Sequence, residues 1–198
     1  MNEPQPSATS VPVAPTRGRF SFLKKMLLIF AVIFMAMIVI VMLQPNDFRV
    51  ERSAKINAEP AAVFAQVNDF HNWEKWSPWA KLDPAMKVAY DGPASGKGAV
   101  YSWVGNDEVG EGRMEILESK PNELIRIKLD FIKPFAASND TVFTFKPDGT
   151  QTNATWTMNG KNNFMMKAFH LVMNIDKMVG AQFDEGFTKL KAVVEPKQ

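Results

Sequence analysis

The sequence of 198 residues contains no cysteine. That excludes disulfides, thiol nucleophiles and thiolate metal sites at once, and it suits an oxidising or a reducing compartment equally. Histidine is scarce too: His71 and His170 lie 99 positions apart with no HExxH or comparable pairing, so no metal site is predicted, and each reads as a partly exposed polar residue. Gly110-Glu111-Gly112 lacks the third glycine of a dinucleotide fingerprint, and neither a Walker-type lysine nor a nucleophile-elbow serine is present. A nucleotide site and an acyl-serine mechanism are therefore unsupported, and no cofactor is expected. An excess of one charge is also missing. Arg17, Arg19, Lys24 and Lys25 against Glu3 give the first 25 residues a net +3, which leaves 19 of the 23 basic and 20 of the 21 acidic residues to the remainder, net −1. Without a basic stripe the chain is not expected to bind nucleic acid.

What the chain does have is one long apolar run. Residues 1–22 are rich in Pro, Ser, Thr and Ala with little apolar periodicity, and are read as a disordered tail. Met26 to Leu43 then carries no charge over 18 residues, a span of roughly 27 Å as a helix. Adding Leu23, with the Lys24 and Lys25 ammonium groups snorkelling outward, predicts a transmembrane helix over residues 23–43. The competing reading is a cleaved signal peptide, against which stand the long preceding region, the length of the run and the lack of a small-x-small pattern before Gln44. Residues 44–47 form a short linker around Pro45. Four basic residues before the run face Arg49, Arg52 and Lys55 after it, which favours a cytoplasmic N-terminus and an extracytoplasmic domain. The expected location is a bacterial inner membrane, single-pass.

The remaining residues, 48–195, read as strand, helix, many strands, helix, an α+β domain. Phe48 to Ile56 alternates with Phe48, Val50, Ala54 and Ile56 on one face, interrupted by Arg52. Val63, Phe64 and Val67 follow at helical spacing behind Pro60. Strands are predicted over Ala99–Val104, Glu108–Leu117, Glu123–Ile132, Asp140–Lys146 and Thr152–Met158, with Lys87–Asp91 as a further candidate. The connectors GND, KPN and PDG are of hairpin length and imply antiparallel neighbours, while KPFAASN looks looser. The strand of Ile125, Ile127, Leu129 and Phe131 alternates with Arg126, Lys128 and Asp130, so one face is buried and one is wet. Ile175, Val179, Phe183, Phe187, Leu190 and Val194 recur at steps of three and four, a long amphipathic helix to cover that face. Gly180 and Gly186 lie on or beside its stripe, each costing about 1 kcal/mol relative to Ala. Such a cost implies a need for space, for close packing on the sheet or for a ligand.

These residues resemble the START-like or SRPBCC superfamily in its polyketide cyclase/dehydrase branch. The resemblance spans roughly Phe48 to Glu195 and rests on the order of elements together with INAEPAAVFAQVNDFHNWEKWSPW, the set Gly96, Gly98, Tyr101 and Trp103, VGEGRMEI, and KMVGAQFDEGFTKLKAVVE. It implies a helix-grip fold: a curved antiparallel β-sheet wrapped around a long C-terminal helix, with an apolar cavity between them. Relatives bind lipids, sterols or polyketides. A membrane anchor sets this chain apart from the simplest soluble members.

Two features nominate site residues directly. Trp76 and Trp79 follow Trp73 at steps of three, and Tyr101, Trp103 and Trp156 join them from strands; such aromatics fill a core or rim a cavity for an amphipathic ligand. Arg52, on an otherwise apolar face, needs either a protein carboxylate or an anionic ligand group. On the helix-grip arrangement, Phe183 and Phe187 face Trp103, Leu129 and Trp156 across the cavity. No acid or base stands out as catalytic: Glu111, Arg113 and Glu115 alternate with Gly112, Met114 and Ile116 as a solvated face. The sequence thus points to a membrane-anchored domain that holds a small hydrophobic or amphipathic ligand such as a lipid, isoprenoid or polyketide. The alternatives are a cyclase or dehydratase acting on an apolar substrate, and an envelope interaction module without a ligand.

Overall fold

The computed structural model describes residues 17–196. The chain divides after Gln44 into two units. The first holds helix α1, Arg17–Met42, of which Ser21–Met42 is long and apolar enough to cross a membrane by length and composition. The helix takes in residues 17–22, expected as the end of the tail, because no proline interrupts the chain between Pro15 and Pro45. The rest of the expected tail, residues 1–16, lies outside the described residues.

The second unit runs β1 (Asp47–Ile56), α2 (Pro60–Asn68), a 3-10 helix (Phe70–Lys75), β2 (Lys87–Asp91), β3 (Val100–Val104), β4 (Glu111–Lys120), β5 (Leu124–Lys133), β6 (Ala137–Asp148), β7 (Gln151–Lys161), α3 (Phe164–Val172) and α4 (Ile175–Val194). Seven strands form one antiparallel sheet in the order β1-β7-β6-β5-β4-β3-β2. Among the described residues only the β1–β7 pairing joins distant parts of the sequence, and it sets Asp47 opposite Lys161. Register shifts in the β4–β5 pair, between Glu111 and Gly112 and between Ile116 and Glu118, are irregularities of the kind that bend a sheet. This is an α+β fold with a C-terminal helix against the sheet, consistent with the helix grip.

Local chemistry accounts for the turns. Asn122 (φ 63°) closes the β4–β5 hairpin and Gly149 (φ 62°) the β6–β7 hairpin, left-handed positions that suit Asn and Gly. Two expectations need correction here. Strand β4 begins at Glu111, not Glu108, because Glu108 and Val109 donate their backbone N–H groups to the Asn106 side chain at 2.9 and 3.3 Å, and Gly110 turns at φ 65°. Strand β6 begins at Ala137, not Asp140, with Ala137 paired with Phe131, so the β5–β6 connection is shorter than read although still looser than the KPN and PDG turns. The backbone pairs where a reading for apolar periodicity saw only small and polar side chains.

The buried face of the sheet is the predicted one. Ile125, Ile127, Phe143, Ala154 and Trp156 are buried beneath Phe183, Phe187 and Leu190 of α4 and Val63, Phe64 and Val67 of α2. Burying each of those large side chains stabilises the fold by about 1.5–3 kcal/mol. On the outer face Arg126 pairs with Asp140 and Lys128 with Asp130. Helix α3 was not expected. The Asn163 side chain caps it by accepting from the Met166 N–H at 2.9 Å, and it buries none of its residues, so its sequence carries no core-facing stripe to betray it.

Candidate ligand-binding site

Sheet strand β7 meets α4 through stacked aromatic rings. Trp156 lies parallel to Phe183 with ring centroids 4.0 Å apart and 8° between planes, and Phe187 meets it edge-on at 6.1 Å. Trp76 approaches the same indole at 5.8 Å and Trp79 at 5.9 Å, both edge to face. Trp76 is fully buried and donates its Nε1–H to the Gln66 carbonyl at 3.2 Å. The structure therefore brings Trp76, Trp79, Trp156, Phe183 and Phe187 together, but as packed rings. Trp156 Nε1 is buried there without a hydrogen-bond partner.

The two helix glycines belong to this packing. A Cβ on Gly186 would come within 2.9 Å of the Trp156 ring, and one on Gly180 would collide with the Arg52 guanidinium. The space each glycine opens is thus filled by a protein side chain. Arg52, on the inner face of β1, reaches into α4 and donates to the Asp176 carboxylate at 3.1 and 3.2 Å and to the Asp176 carbonyl at 2.9 Å, with Asp184 at 3.5 Å. Its hydrogen bonds hold the Asp176 carboxyl below the usual carboxylate range, outweighing an opposing effect of desolvation, with a lesser contribution from its charge. The arginine's partner is a pair of protein carboxylates.

Tyr101 and Trp103 form a second aromatic row. Tyr101 packs among Phe70, Tyr90 and Trp103 at 5.6–5.9 Å, and burial, helped by Tyr90 and Glu74, pushes its phenol up to about 12. Trp103 donates to the Val109 carbonyl at 2.9 Å and lies over Gly112, where a Cβ would strike its ring. Leu129 is half-buried on the same sheet face, against the core. A pocket of about 260 Å³ opens beside this row, lined by Phe70, His71, Tyr90, Pro93 and Ala99. His71 stacks on Tyr90 at 4.0 Å and its Nδ1 lies 2.7 Å from Asp69 Oδ1, but that same oxygen accepts the His71 backbone N–H at 2.9 Å as a helix cap. Among the described residues no group of three His, Asp or Glu is placed to hold a metal ion.

The larger opening is a groove of about 470 Å³ between the start of β1 and the bend joining α3 to α4, within the range of small-molecule sites. Phe48, Val50, Leu171, Val172, Met173 and Ile175 give it apolar walls, and Arg49, His170, Asn174 and Asp176 add polar groups. The His170 ring rests edge-on against Phe48 at 6.0 Å, and its Nε2 is buried with no hydrogen bond. Phe48 in turn lies over Gly160 beside the Asn139 amide, in space that a side chain at 160 would fill. None of the sequence-predicted candidates lines this groove; Arg52 touches it only through Asp176. The signal that could have found it is the FMMKAFHLVM stretch, residues 164–173, which is too apolar for a solvated loop.

The comparisons agree with this fold. A family profile described as polyketide cyclase / dehydrase and lipid transport matches residues 47–195. Among solved structures, the Chromobacterium violaceum protein CV1439 is 18% identical with a TM-score of 0.55, the match covering 78% of this chain and all of that one. The Mesorhizobium loti protein MLL2253 is 18% identical with a TM-score of 0.54, covering 73% of this chain and 95% of that one. The Aha1 dimer from Colwellia psychrerythraea is 14% identical with a TM-score of 0.54, covering 75% and 96%. No curated protein matches. With the family profile covering the whole sheet and its C-terminal helix, this chain belongs to the polyketide cyclase / dehydrase and lipid transport family.

Proposed function

We propose that this protein is a membrane-anchored binding domain for a small hydrophobic or amphipathic molecule, with α1 as the transmembrane anchor. The observation that carries the reading is the groove between β1 and the α3–α4 bend: about 470 Å³, apolar walls, and a lining histidine whose Nε2 is buried without a partner. The combination of apolar walls with the polar groups of Arg49, His170 and Asn174 suits an amphipathic molecule. The family's description includes lipid transport, which favours a lipid-like ligand. The rings around Trp156 act as the rigid floor of the domain, and the Arg52–Asp176 contact holds α4 to β1 at the end of the groove.

Helix Ser21–Met42 carries no acidic residue and has Lys24 and Lys25 near its start. This supports a single-pass protein with its N-terminus in the cytoplasm and its domain outside. Tethering keeps the groove close to a lipid source. The test is native mass spectrometry of the full chain extracted from its own membrane: a defined added mass that chloroform extraction removes is expected. Recovery of the chain only at its own mass, from preparations where it is folded, contradicts the binding reading and leaves an interaction module in its place.

A further inference from the structure

Helix α3 leaves an apolar face uncovered. Phe164, Met165, Phe169 and Val172 fall on one side of it and are 54, 54, 41 and 87% exposed. Phe135, at the tip of the β5–β6 hairpin, is 53% exposed and meets Phe169 at 6.4 Å, so hairpin and helix form one continuous patch. Large apolar side chains grouped in this way mark a surface that something else covers.

The chain indicates what covers it. Asp47 opens β1 five positions after Met42 closes α1, and a stretch that short reaches at most ~18 Å when extended. Asp47 pairs with Lys161, and α3 begins at Phe164, three positions further on. The β5–β6 turn lies at the same end of the sheet, since Asn139 of β6 pairs with Gly160 of β7. The apolar patch is thus at the end of the domain that α1 would hold against a bilayer. Its charge fits as well: from Asn159 to Ile175 the chain has Lys161 and Lys167 and no carboxylate, and from Phe131 to Asn139 it has Lys133 and no carboxylate. Glu111 of β4 pairs with Lys133 at 2.7 Å, while α3 and the hairpin tip themselves carry lysine and no carboxylate, which suits an anionic lipid surface.

We infer that α3 and the β5–β6 hairpin form a lipid-docking face, with Phe135, Phe164, Phe169 and Val172 inserted into the headgroup region of the membrane that α1 spans. Val172 belongs at once to this face and to the groove lining, so docking would place the groove mouth at the lipid surface. The inference rests on the transmembrane reading of α1, and the absence of native cysteine allows both to be tested in the full chain.

Single spin labels are placed through Phe164→Cys, Val172→Cys and Phe135→Cys, with Ile33→Cys in α1 and Glu123→Cys at the opposite end of the sheet as references. Each variant is reconstituted in vesicles of mixed neutral and anionic phospholipid, and collision with oxygen is compared with collision with a water-soluble nickel chelate. Labels at 164, 172 and 135 should show an oxygen-to-nickel ratio several-fold above that at 123 and below that at 33. If 33 reports lipid while 164, 172 and 135 match 123, the docking face is wrong and the anchor stands. If 33 itself reports water, the anchor reading fails and takes the inference with it. Labels at 164 and 172 shielded from both reagents and broadened by one another would mean that a second copy covers the patch, which also overturns the proposal. Agreement of the variants' melting curves with that of the parent confirms that each reports on folded protein.

Discussion

The Arg52 guanidinium occupies the place where a Cβ of Gly180 would stand. This lets β1 and α4 approach closely enough for the arginine to bond both the carboxylate and the main-chain carbonyl of Asp176. Gly186 meets a different neighbour, the Trp156 ring, which is stacked on Phe183 and close to Phe143. The two positions should therefore respond differently to the same substitution. An arginine tip can swing away, so Gly180→Ala should change stability by no more than about 1 kcal/mol, the helix-propensity gain offsetting the lost contact. A clamped indole cannot, and Gly186→Ala should cost about 1–3 kcal/mol from overpacking. Chemical denaturation of both variants measures this; equal effects would show that the ring is free to move.

Asp176 gives a pH signature. Its native carboxyl is held below the usual range, chiefly by hydrogen bonds from Arg52, so the stabilisation it brings is present in full above the unfolded-chain value of about 3.9 and is lost as pH falls through the depressed native value. The melting-temperature gap between the wild type and Asp176→Asn should be constant from neutral pH down to about 5 and close below about 4. A gap that persists undiminished into strong acid would show that the contact does not depend on the carboxylate charge.

Trp76 and Trp79 should separate by burial. Trp76 is fully buried with its indole N–H satisfied by Gln66, whereas Trp79 is half-buried at the margin of the same cluster. Trp76→Ala should cost about 3–5 kcal/mol, and Trp79→Ala clearly less. Similar costs at the two positions would argue that Trp79 is buried by something besides the core.

Where side chains alternate or repeat against the core, the sequence was legible. Strand β5 shows Ile125 and Ile127 inward with Arg126 and Lys128 outward, and α4 buries Phe183, Phe187 and Leu190. Legibility stopped where the determinant was not burial. Strand β4 starts late because of a side-chain cap at Asn106, and α3 exposes its apolar residues, so neither follows from a core-facing pattern. The aromatic candidates were identifiable as a group because Trp73, Trp76 and Trp79 are conspicuous, but sequence could not distinguish a packed cluster from a lined cavity. That distinction depends on how closely Trp156 meets Phe183, a contact between residues 27 positions apart. The groove escaped notice for a related reason: Phe48 and His170 meet across most of the domain.

Orientation can be read with a reporter fused after Gln198. Basic residues ahead of α1 favour a cytoplasmic N-terminus, so a reporter active only outside the cytoplasm should work at that position. Activity instead from a reporter that functions only in the cytoplasm would invert the topology. The same fusion should stay in the membrane fraction through a carbonate wash, and release of a shortened protein beginning near Pro45 would identify residues 23–43 as a cleaved signal.

The central claim, that the groove between β1 and the α3–α4 bend holds an apolar ligand, is tested most directly by photocrosslinking. The full chain in vesicles is irradiated with a fatty acid carrying a diazirine, with and without excess unmodified fatty acid, and the labelled peptides are sequenced. The account predicts labelling at Phe48, Val50 and Ile175 that the competitor removes, alongside labelling of α1 that it leaves largely unchanged because bilayer contact does not saturate. Competable labelling confined to the region of Trp103, Leu129 and Trp156 would place the ligand between sheet and helix after all, and labelling of α1 alone would contradict binding by the domain.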